Sequence, residues 1–332
     1  MRVLVTGGAG FIGSHLCEAL LARGDRVVCL DNFSTGKREN LSAHSGLGVV
    51  EGDVRDGTLV RRIMGTGVDL IFHYAATVGV RRTAEAARQT LQDAEAARVV
   101  ADAALAAGKP KIVFASSSEV YGEPVEIPEV ESGHTNAKIP YAVSKLYCEA
   151  LFRAYWEETG LPAVSLRFFN VYGPRQESSD YGFVVGIFIR QVLQGAAPTV
   201  YGDGSQTRDF VYVSDNVAAA LAAAETPQAN GLVINVGTGR PTTLVHLAED
   251  IIRLAGREGD LQPSFIPQPD RPDIRHRFPD VALLHRLLKV RAQVRLEEGL
   301  RRTIDWYRSW LAAPSPAAAA IQEGMRVGGP AR

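Results

Sequence analysis

Tyr141 and Lys145, in the segment YAVSK, are the residues whose types and spacing point most directly to chemistry. A separation of four positions puts both side chains on the same face of a helix. Tyrosine has a reference pKa of about 10 and is a poor base at neutral pH, but a nearby ammonium group favours its phenolate form. Such a pair alone is most often a surface helix pair, but its place after a dinucleotide-binding pattern and the strand KIVFASSSEVYG predicts a site of proton transfer.

Three consecutive serines, Ser116, Ser117 and Ser118, end the strand-like segment KIVFASSS upstream of this pair. In open α/β sheets, ligands bind at the carboxyl ends of the strands. A serine there is placed to bond a substrate hydroxyl and to pass its proton to Tyr141. Because neighbouring side chains on a strand alternate in direction, we expect only one of the three to face the site.

A glycine-rich turn opens the chain in MRVLVTGGAGFIG, between a short strand pattern and a helical pattern. Gly7 permits the turn, Gly10 lets the backbone approach a diphosphate, and Gly13 lets helix and strand pack closely. The diphosphate is expected at the positive N-terminus of the helix. The arrangement predicts a dinucleotide site.

Asp31 ends the second strand pattern, about 20 residues further on, where an acid binds the ribose hydroxyls of adenosine. Its carboxylate repels a 2′-phosphate, and the neighbouring Asn32 adds no positive charge. NAD is therefore favoured over NADP. Lys37 and Arg38 follow closely, so the preference is not absolute.

The composition is that of a globular protein, with 332 residues of which 46% are hydrophobic and 22% charged. A net charge of −1 argues against nucleic acid or an anionic membrane as the main partner. Cys17, Cys29 and Cys148 have neither paired nor metal-ligand spacing. With no secretory leader or membrane span expected, we predict a reduced, cytoplasmic protein without a metal.

Strand and helix patterns alternate along the chain, which is typical of parallel strands joined by right-handed crossovers. We predict the α/β class, with a Rossmann-type doubly wound parallel sheet in residues 1–172. A smaller C-terminal α/β substrate region in 173–311 is expected to be interleaved with it, followed by a flexible tail, 312–332. If the helical patterns at 81–108 and 141–159 both expose apolar stripes, two protomers pair them in a four-helix contact, and we expect such a homodimer.

Eight segments between position 1 and about position 215 occur in an order and spacing typical of one family: TGGAGFIGSH, LDNFSTGKREN, EGDVRD, FHYAA, FASSSEVYG, YAVSK, LRFFNVYGPRQ and VYGDGSQTRDFVYVSD. The chain resembles the extended short-chain dehydrogenase/reductases that act on nucleotide sugars, with a weaker match, RPDI, near Arg271. The resemblance implies a tightly held NAD that takes a hydride from the sugar, usually at C4, and later returns it.

The resemblance also implies roles for individual residues. Ser117 is expected as the hydroxyl partner, Tyr141 as the base and Lys145 as its electrostatic partner, the last two also contacting NAD. The other expected NAD contacts are Gly7, Gly10, Phe11 and Ile12 on the diphosphate turn, Asp31 and Asn32 at the ribose, Asp53 and Val54 beside adenine, and Ala75. The expected contacts of the sugar nucleotide are Asn170, Tyr201, Arg208 and Arg271, whose side chains suit phosphates and a base.

Two departures from the family pattern qualify these roles. Where the family has an asparagine in an NxxG pattern, this chain has Asp93, which changes a local hydrogen-bond bridge. RPDI is one residue shorter than the usual spacing, so Arg275 is an alternative to Arg271.

Glu119 bears on the outcome of the reaction. It lies two places after Ser117, where dehydratases and decarboxylases of the family also carry glutamate, although a structural role stays open. The aspartate that precedes it in a typical dTDP-glucose dehydratase is Ser118 here, which counts against a 4,6-dehydratase.

The segments FFNVYGPRQ and DGSQTRDF look most like UDP-sugar 4-epimerases. VGVRR after HYAA is also similar to that branch, a resemblance that makes Arg81 or Arg82 a candidate to lie near a C6 substituent. We expect an NAD-dependent 4-epimerase of a nucleotide sugar, UDP-linked, with a dehydratase or UDP-glucuronate decarboxylase as the alternative. The less favoured alternative is a non-catalytic NAD-binding interaction protein. Such a protein would have lost part of the Ser/Tyr/Lys set, whereas this sequence keeps all three residues.

Overall fold

A parallel sheet organises the first part of the chain in this computed structural model, which describes residues 1–179, 182–268 and 274–313. The strands are β1 (Arg2–Thr6), β2 (Arg26–Asp31), β3 (Leu47–Glu51), β4 (Leu70–His73), β5 (Lys111–Ser117), β6 (Ala163–Phe168), β7 (Asn170–Tyr172), β8 (Thr199–Tyr201), β9 (Thr207–Tyr212), β10 (Val233–Val236), β11 (Pro241–Thr243) and β12 (Ser264–Ile266). The helices are α1 (Phe11–Ala22), α2 (Gly57–Met64), α3 (Val80–Glu85), α4 (Ala87–Leu91), α5 (Asp93–Ala106), α6 (Pro140–Thr159), α7 (Val184–Leu193), α8 (Val213–Glu225), α9 (Leu244–Leu254) and α10 (Leu296–Ala312). Shorter helical turns lie at Arg38–Asn40, Ser118–Tyr121, Pro227–Ala229 and Leu284–Leu288.

The main sheet has the strand order β10-β6-β5-β4-β1-β2-β3, and all its neighbouring strands are parallel. Within it, the order of the first six strands is the 3-2-1-4-5-6 order of the doubly wound dinucleotide-binding fold. The predicted fold class is therefore confirmed. Because the chain reverses its direction of winding at β1, the cleft beyond β1 and β4 is where this fold binds its ligand.

Both faces of the sheet are covered by helices, since alternate strand residues point to opposite faces. Leu4 and Ile71 belong to the core under α2, α5 and α6. Val5 and Phe72 belong to the core under α1 and α8. Burial on both faces explains why these strands are almost continuously apolar.

A third core lies in the C-terminal region, where α7, α9 and α10 pack around residues such as Phe188, Ile251 and Ile304. Two small sheets, β11-β9-β7 and β12-β8, accompany it. Helix α8 and strand β10 also follow residue 173 in sequence, yet they pack against the main sheet. The boundary at 172/173 stays a prediction, and 314–332 of the predicted tail lie outside the described residues.

Candidate active site

One cavity of about 1260 Å³ lies at the carboxyl ends of β1, β2, β4 and β5. Apart from Arg275, the alternative to Arg271, every predicted site residue that the structure describes lines it: Gly7, Gly10, Phe11, Ile12, Asp31, Asn32, Asp53, Val54, Ala75, Ser117, Glu119, Tyr141, Lys145, Asn170, Tyr201 and Arg208. Arg271 lies outside the described residues. Residues from positions 7 to 208 thus meet in one place.

The glycine turn after β1 has no room for a side chain at Gly7 or Gly13. Gly7 has φ +71°, and a Cβ on it would lie 2.7 Å from the backbone nitrogen of Ala75. A Cβ on Gly13 would lie 2.2 Å from the carbonyl oxygen of Gly7. Helix α1 begins after Gly10 without a side-chain cap and without an acidic residue in its first turn. Its N-terminal N–H groups therefore suit an anionic diphosphate.

Asp31 is a buried carboxylate at the end of β2. It accepts hydrogen bonds from the backbone N–H groups of Ala9, at 2.9 Å, and Phe33, at 2.8 Å. A carboxylate has about four acceptor positions, so two donors leave capacity for a ribose diol. The neighbouring Asn32 accepts from the N–H of Ser34 at 3.0 Å. The geometry suits the adenosine ribose predicted here.

Asp53, predicted beside adenine, is held by Arg55 in the wall of the cavity. The two side chains form an ion pair at 2.6 Å, and the Arg55 guanidinium lowers the pKa of the Asp53 carboxyl. Arg55 also donates to Gln92 at 2.8 Å, which ties this loop to the start of α5. Val54 follows Asp53 in the wall of the cavity.

Asp93, the first residue of α5, bridges to the loop after β4. Its carboxylate accepts from the backbone N–H of Thr77 at 2.8 Å. Burial raises the pKa of Asp93, and the Thr77 hydrogen bond opposes that shift. The aspartate thus fixes the loop that carries Ala75, and it lines the cavity itself.

Ser117, Tyr141 and Lys145 converge at the centre of the cavity. The Ser117 hydroxyl accepts from the N–H of Glu119 at 3.2 Å and lies close enough to Tyr141 to influence its titration. Burial raises the pKa of Tyr141, while the neighbouring Ser117 hydroxyl opposes that shift. Nζ of Lys145 lies 5.6 Å from the centre of the Tyr141 ring and donates to the carbonyl oxygen of Ala115 at 2.7 Å. A neighbouring positive charge is therefore required for the buried phenol to act as a base.

Glu149 fixes α6, the helix that carries Tyr141 and Lys145, to the sheet. It accepts from Ser116 on β5 and forms a buried two-point ion pair with Arg167 on β6, at 2.9 and 2.7 Å. The Ser116 hydroxyl is thereby engaged with Glu149 while that of Ser117 faces Tyr141. This anchoring limits movement of the phenol relative to the serine.

The far end of the cavity carries polar groups from the C-terminal region. Asn170 donates to the carbonyl oxygen of Asp209 at 3.1 Å, and Arg208 donates to that of Thr207 at 2.8 Å. The Tyr201 side chain is 39% exposed and has a ring face accessible for stacking. Among described residues of the RPDI segment and its continuation, Ile274 lines the cavity and Arg275 does not.

Arg82 lines the cavity beside the loop after β4. It donates to the carbonyl oxygen of Val78 at 3.1 Å and lies 3.6 Å from Glu177. The side chain of Arg81, the other residue predicted near a C6 substituent, is outside the described part of the chain.

Sequence reasoning missed Arg277. Its guanidinium is 2% exposed, forms an ion pair with Glu119 and donates to the carbonyl oxygen of Gly122 at 3.1 Å. No motif marks Arg277, and its partner lies 158 positions away in the sequence. Its contact with the cavity wall depends on the path of the C-terminal region.

In the described ranges, no group of three or more histidine, cysteine, aspartate or glutamate residues is arranged to hold a metal. In the same ranges, no helix has the length and apolarity needed to cross a membrane.

Comparison with known proteins gives consistent matches. A family model for the NAD dependent epimerase/dehydratase family matches residues 3–237. A UDP-N-acetyl-alpha-D-glucosaminuronate decarboxylase from Bacillus cytotoxicus is 37% identical over 317 residues, covering 92% of this chain and 98% of that protein. A UDP-glucose 4-epimerase from Mycolicibacterium smegmatis is 37% identical over 315 residues, covering 93% and 99%. Relatives that perform different reactions are thus equally similar.

The fold agrees with a solved structure of the same kind. The UDP-glucose 4-epimerase of Thermotoga maritima, solved with UDP-glucose, matches with a TM-score of 0.89 and 33% identity. The match covers 94% of this chain and 100% of that chain.

Proposed function

Because the chain belongs to the NAD-dependent epimerase/dehydratase family, we propose that it is a nucleotide-sugar 4-epimerase. In this reaction the sugar is oxidised at C4 to a ketone and then reduced from the opposite face. The observation that carries the proposal is the meeting of Ser117, Tyr141 and Lys145 with the glycine turn in one cavity. The cavity exceeds the roughly 300–1,000 Å³ of common ligand pockets, which leaves room for a cofactor together with a sugar.

NAD is the cofactor of this family, and the residues present fit it. The uncapped start of α1 and the glycine turn suit its diphosphate, and Asp31 suits its adenosine ribose. When bound, NAD accepts a hydride from C4 of the sugar and returns it, so that no net redox change occurs.

Tyr141 removes the proton of the C4 hydroxyl and gives it back in the second step. Ser117 bonds the same hydroxyl and keeps it within reach of the phenol oxygen. Burial raises the pKa of Tyr141. Lys145, whose Nζ lies 5.6 Å from the centre of the Tyr141 ring, is the neighbouring positive charge that favours the phenolate in this proposal. All three residues therefore contribute to the transfer of the same proton, that of the C4 hydroxyl.

The nucleotide end of the substrate lies toward Asn170, Tyr201 and Arg208. Amide and guanidinium donors bind phosphate oxygens, and an accessible tyrosine face stacks on a base. By analogy with the UDP-glucose bound in the Thermotoga maritima structure, we assign a UDP-sugar to this end. In this proposal, residues 173–311 form mainly the substrate region: α7, α9 and α10 build a core of their own, while α8 and β10 join the main sheet.

A second candidate is decarboxylation of a UDP-uronate. The ion pair between Glu119 and Arg277 favours decarboxylation. Without a cation beside it, the Glu119 carboxylate would repel a substrate carboxylate at C6, and Arg277 balances that negative charge. A 4-ketone next to C5 supplies the electron sink for loss of carbon dioxide. The decarboxylase from Bacillus cytotoxicus, named above, adds support.

The test is product analysis by mass spectrometry and chromatography after incubation with UDP-glucose, UDP-N-acetylglucosamine and UDP-glucuronate. The proposed epimerase gives an isomer of unchanged mass. Loss of carbon dioxide from UDP-glucuronate alone identifies the second candidate. If the protein changes none of the three while Tyr141→Phe behaves identically, the proposal is wrong.

The assembly we propose is a homodimer formed by a four-helix contact. Leu91 on α4 and Val143 and Tyr147 on α6 are exposed apolar side chains, between 45% and 50% accessible, on helices that pack together.

We place the protein in the cytoplasm, since Cys17, Cys29 and Cys148 are all free and buried, as suits a reducing compartment.

A further inference from the structure

Glu129, on the loop before α6, is a buried carboxylate that the mechanism above does not use. The residue is 3% exposed, and neither side-chain oxygen has a hydrogen-bond partner in the described part of the chain. Its backbone is fixed on both sides. Its N–H donates to Phe278 at 3.0 Å, and its carbonyl oxygen accepts from Asp280 at 2.8 Å and from Asn235 at 2.9 Å. The side chain is therefore held inside the protein. When its carboxyl group is ionised, the negative charge must be balanced by neighbouring protein groups rather than by water.

Arg277 lies between Glu129 and the cavity. One of its terminal nitrogens pairs with Glu119, and the other donates to Gly122 at 3.1 Å. Its third nitrogen, Nε, has no hydrogen-bond partner among the described residues and lies 4.0 Å from Oε1 of Glu129. One guanidinium thus has a carboxylate on each side, bonded to one and just beyond hydrogen-bond distance of the other.

The charge of this cluster changes with the protonation of Glu129. Burial raises the pKa of Glu129 to about 8, opposed by Arg277 and Arg208 and reinforced by Glu119. At neutral pH Glu129 is protonated, so the cation of Arg277 and the anion of Glu119 balance. Above about pH 8 Glu129 is ionised, and a second carboxylate anion stands beside the Arg277 guanidinium.

We propose that Glu129 is a positioning residue that competes with Glu119 for Arg277, so that its protonation state sets the position of the Glu119 carboxylate in the substrate cavity. When Glu129 is neutral, Arg277 is committed to Glu119. When Glu129 is ionised, the guanidinium is shared and the Glu119 carboxylate is less restrained. The significance for a sugar substrate rests on the proposed function, but the competition itself does not.

The test uses the full chain with ¹³C-labelled glutamate side-chain carboxyls, followed by NMR from pH 5 to 9.5. The variants Glu119→Gln and Glu129→Gln assign the two resonances. We expect the Glu119 resonance to show an inflection near pH 8 that coincides with the titration of Glu129. Glu129→Gln removes this inflection. The matched control, Glu131→Gln, removes a nearby half-buried carboxylate that accepts from the backbone N–H of Asn235 and has no bond to Arg277, and the inflection remains.

A Glu119 resonance that is flat around pH 8, or one that keeps its inflection in Glu129→Gln, overturns the proposal. If Glu129→Gln does not fold, the wild-type titration still decides, since Glu119→Gln assigns the resonance in question. The measurement needs no turnover, so failure of the proposed epimerase reaction leaves its outcome unaffected.

Discussion

Tyr141 is the residue on which the proposed chemistry most depends. Replacing it by phenylalanine removes the proton acceptor and keeps the ring, so we expect turnover to fall by about 10²- to 10⁴-fold, the usual contribution of general acid–base catalysis. NAD retention after gel filtration and the melting temperature should stay close to those of wild type. Tyr147→Phe is the matched control, because its ring is half exposed on the same helix. Comparable losses in both variants would contradict the role of Tyr141.

Glu129 also predicts how stability depends on pH. Its folded-state pKa of about 8 exceeds the ordinary 4.5, so between these values the folded state binds more protons than the unfolded state. Stability from this group is therefore full below about pH 4.5 and is lost as the pH rises to 8, by up to roughly 5 kcal/mol. In urea unfolding, Glu129→Gln should flatten the decline between pH 5 and 8. The exposed control Glu126→Gln should leave it unchanged, and an equally steep decline in Glu129→Gln would refute the shift.

Individual residues differed in how far the sequence could identify them. Tyr141, Ser117 and Asp31 each stand in a local pattern, a helical spacing, a strand end or a motif distance, and the structure brings all three to one cavity. Arg277 and Glu129 have no such local pattern. Their contacts join loops and turns far apart in the chain, and only the folded path of the C-terminal region brings them together.

At the scale of elements, the turn between β1 and α1 has the least tolerance for change. In Gly13→Ala the new Cβ meets the Gly7 carbonyl oxygen at 2.2 Å and the Gly8 Cα at 2.9 Å, and both are backbone atoms. The turn must open, and we expect NAD affinity to fall at least tenfold, or about 1.4 kcal/mol, by calorimetry. Gly48→Ala on β3 is the control, since its nearest neighbour is 3.9 Å away. Equal affinities in the two variants would show that the turn does not hold the diphosphate.

The elements themselves were predictable where one physical pattern dominates. Helix α6 spans Pro140–Thr159, against an expected 141–159, because a proline start and a glycine end mark it. The helical pattern at 81–108 is divided among α3, α4 and α5. Alanine-rich composition favours helix throughout, but Ala86 has φ −111° and ψ 41°, and the chain turns there. The interruption brings Asp93 to Thr77, a tertiary contact that composition does not reveal.

At the scale of the molecule, the C-terminal half returns to the first sheet. Helix α8 covers one face and β10 extends the edge next to β6. The shorter and less regular strand and helix patterns after residue 173 suggested that the C-terminal region is interleaved with the first domain. They could not identify which segments return to the main sheet, since both α8 and β10 are ordinary apolar elements. Arg208 lies on β9, directly before α8, so the same return that completes the sheet carries a proposed substrate contact to the cavity.

The exposed face of α6 predicts the assembly of two copies. Val143 and Tyr147 are one helical turn apart and about half exposed, an arrangement that suits a two-fold helix contact. The double variant Val143→Glu, Tyr147→Glu places like charges across that contact, so light scattering should report a monomer where wild type is a dimer. Phe265→Glu, on β12 and 52% exposed, is the matched control and should remain dimeric. A monomeric wild type, or a double variant that still dimerises, would rule out this face, because the apolar surface would then have no second copy to cover it.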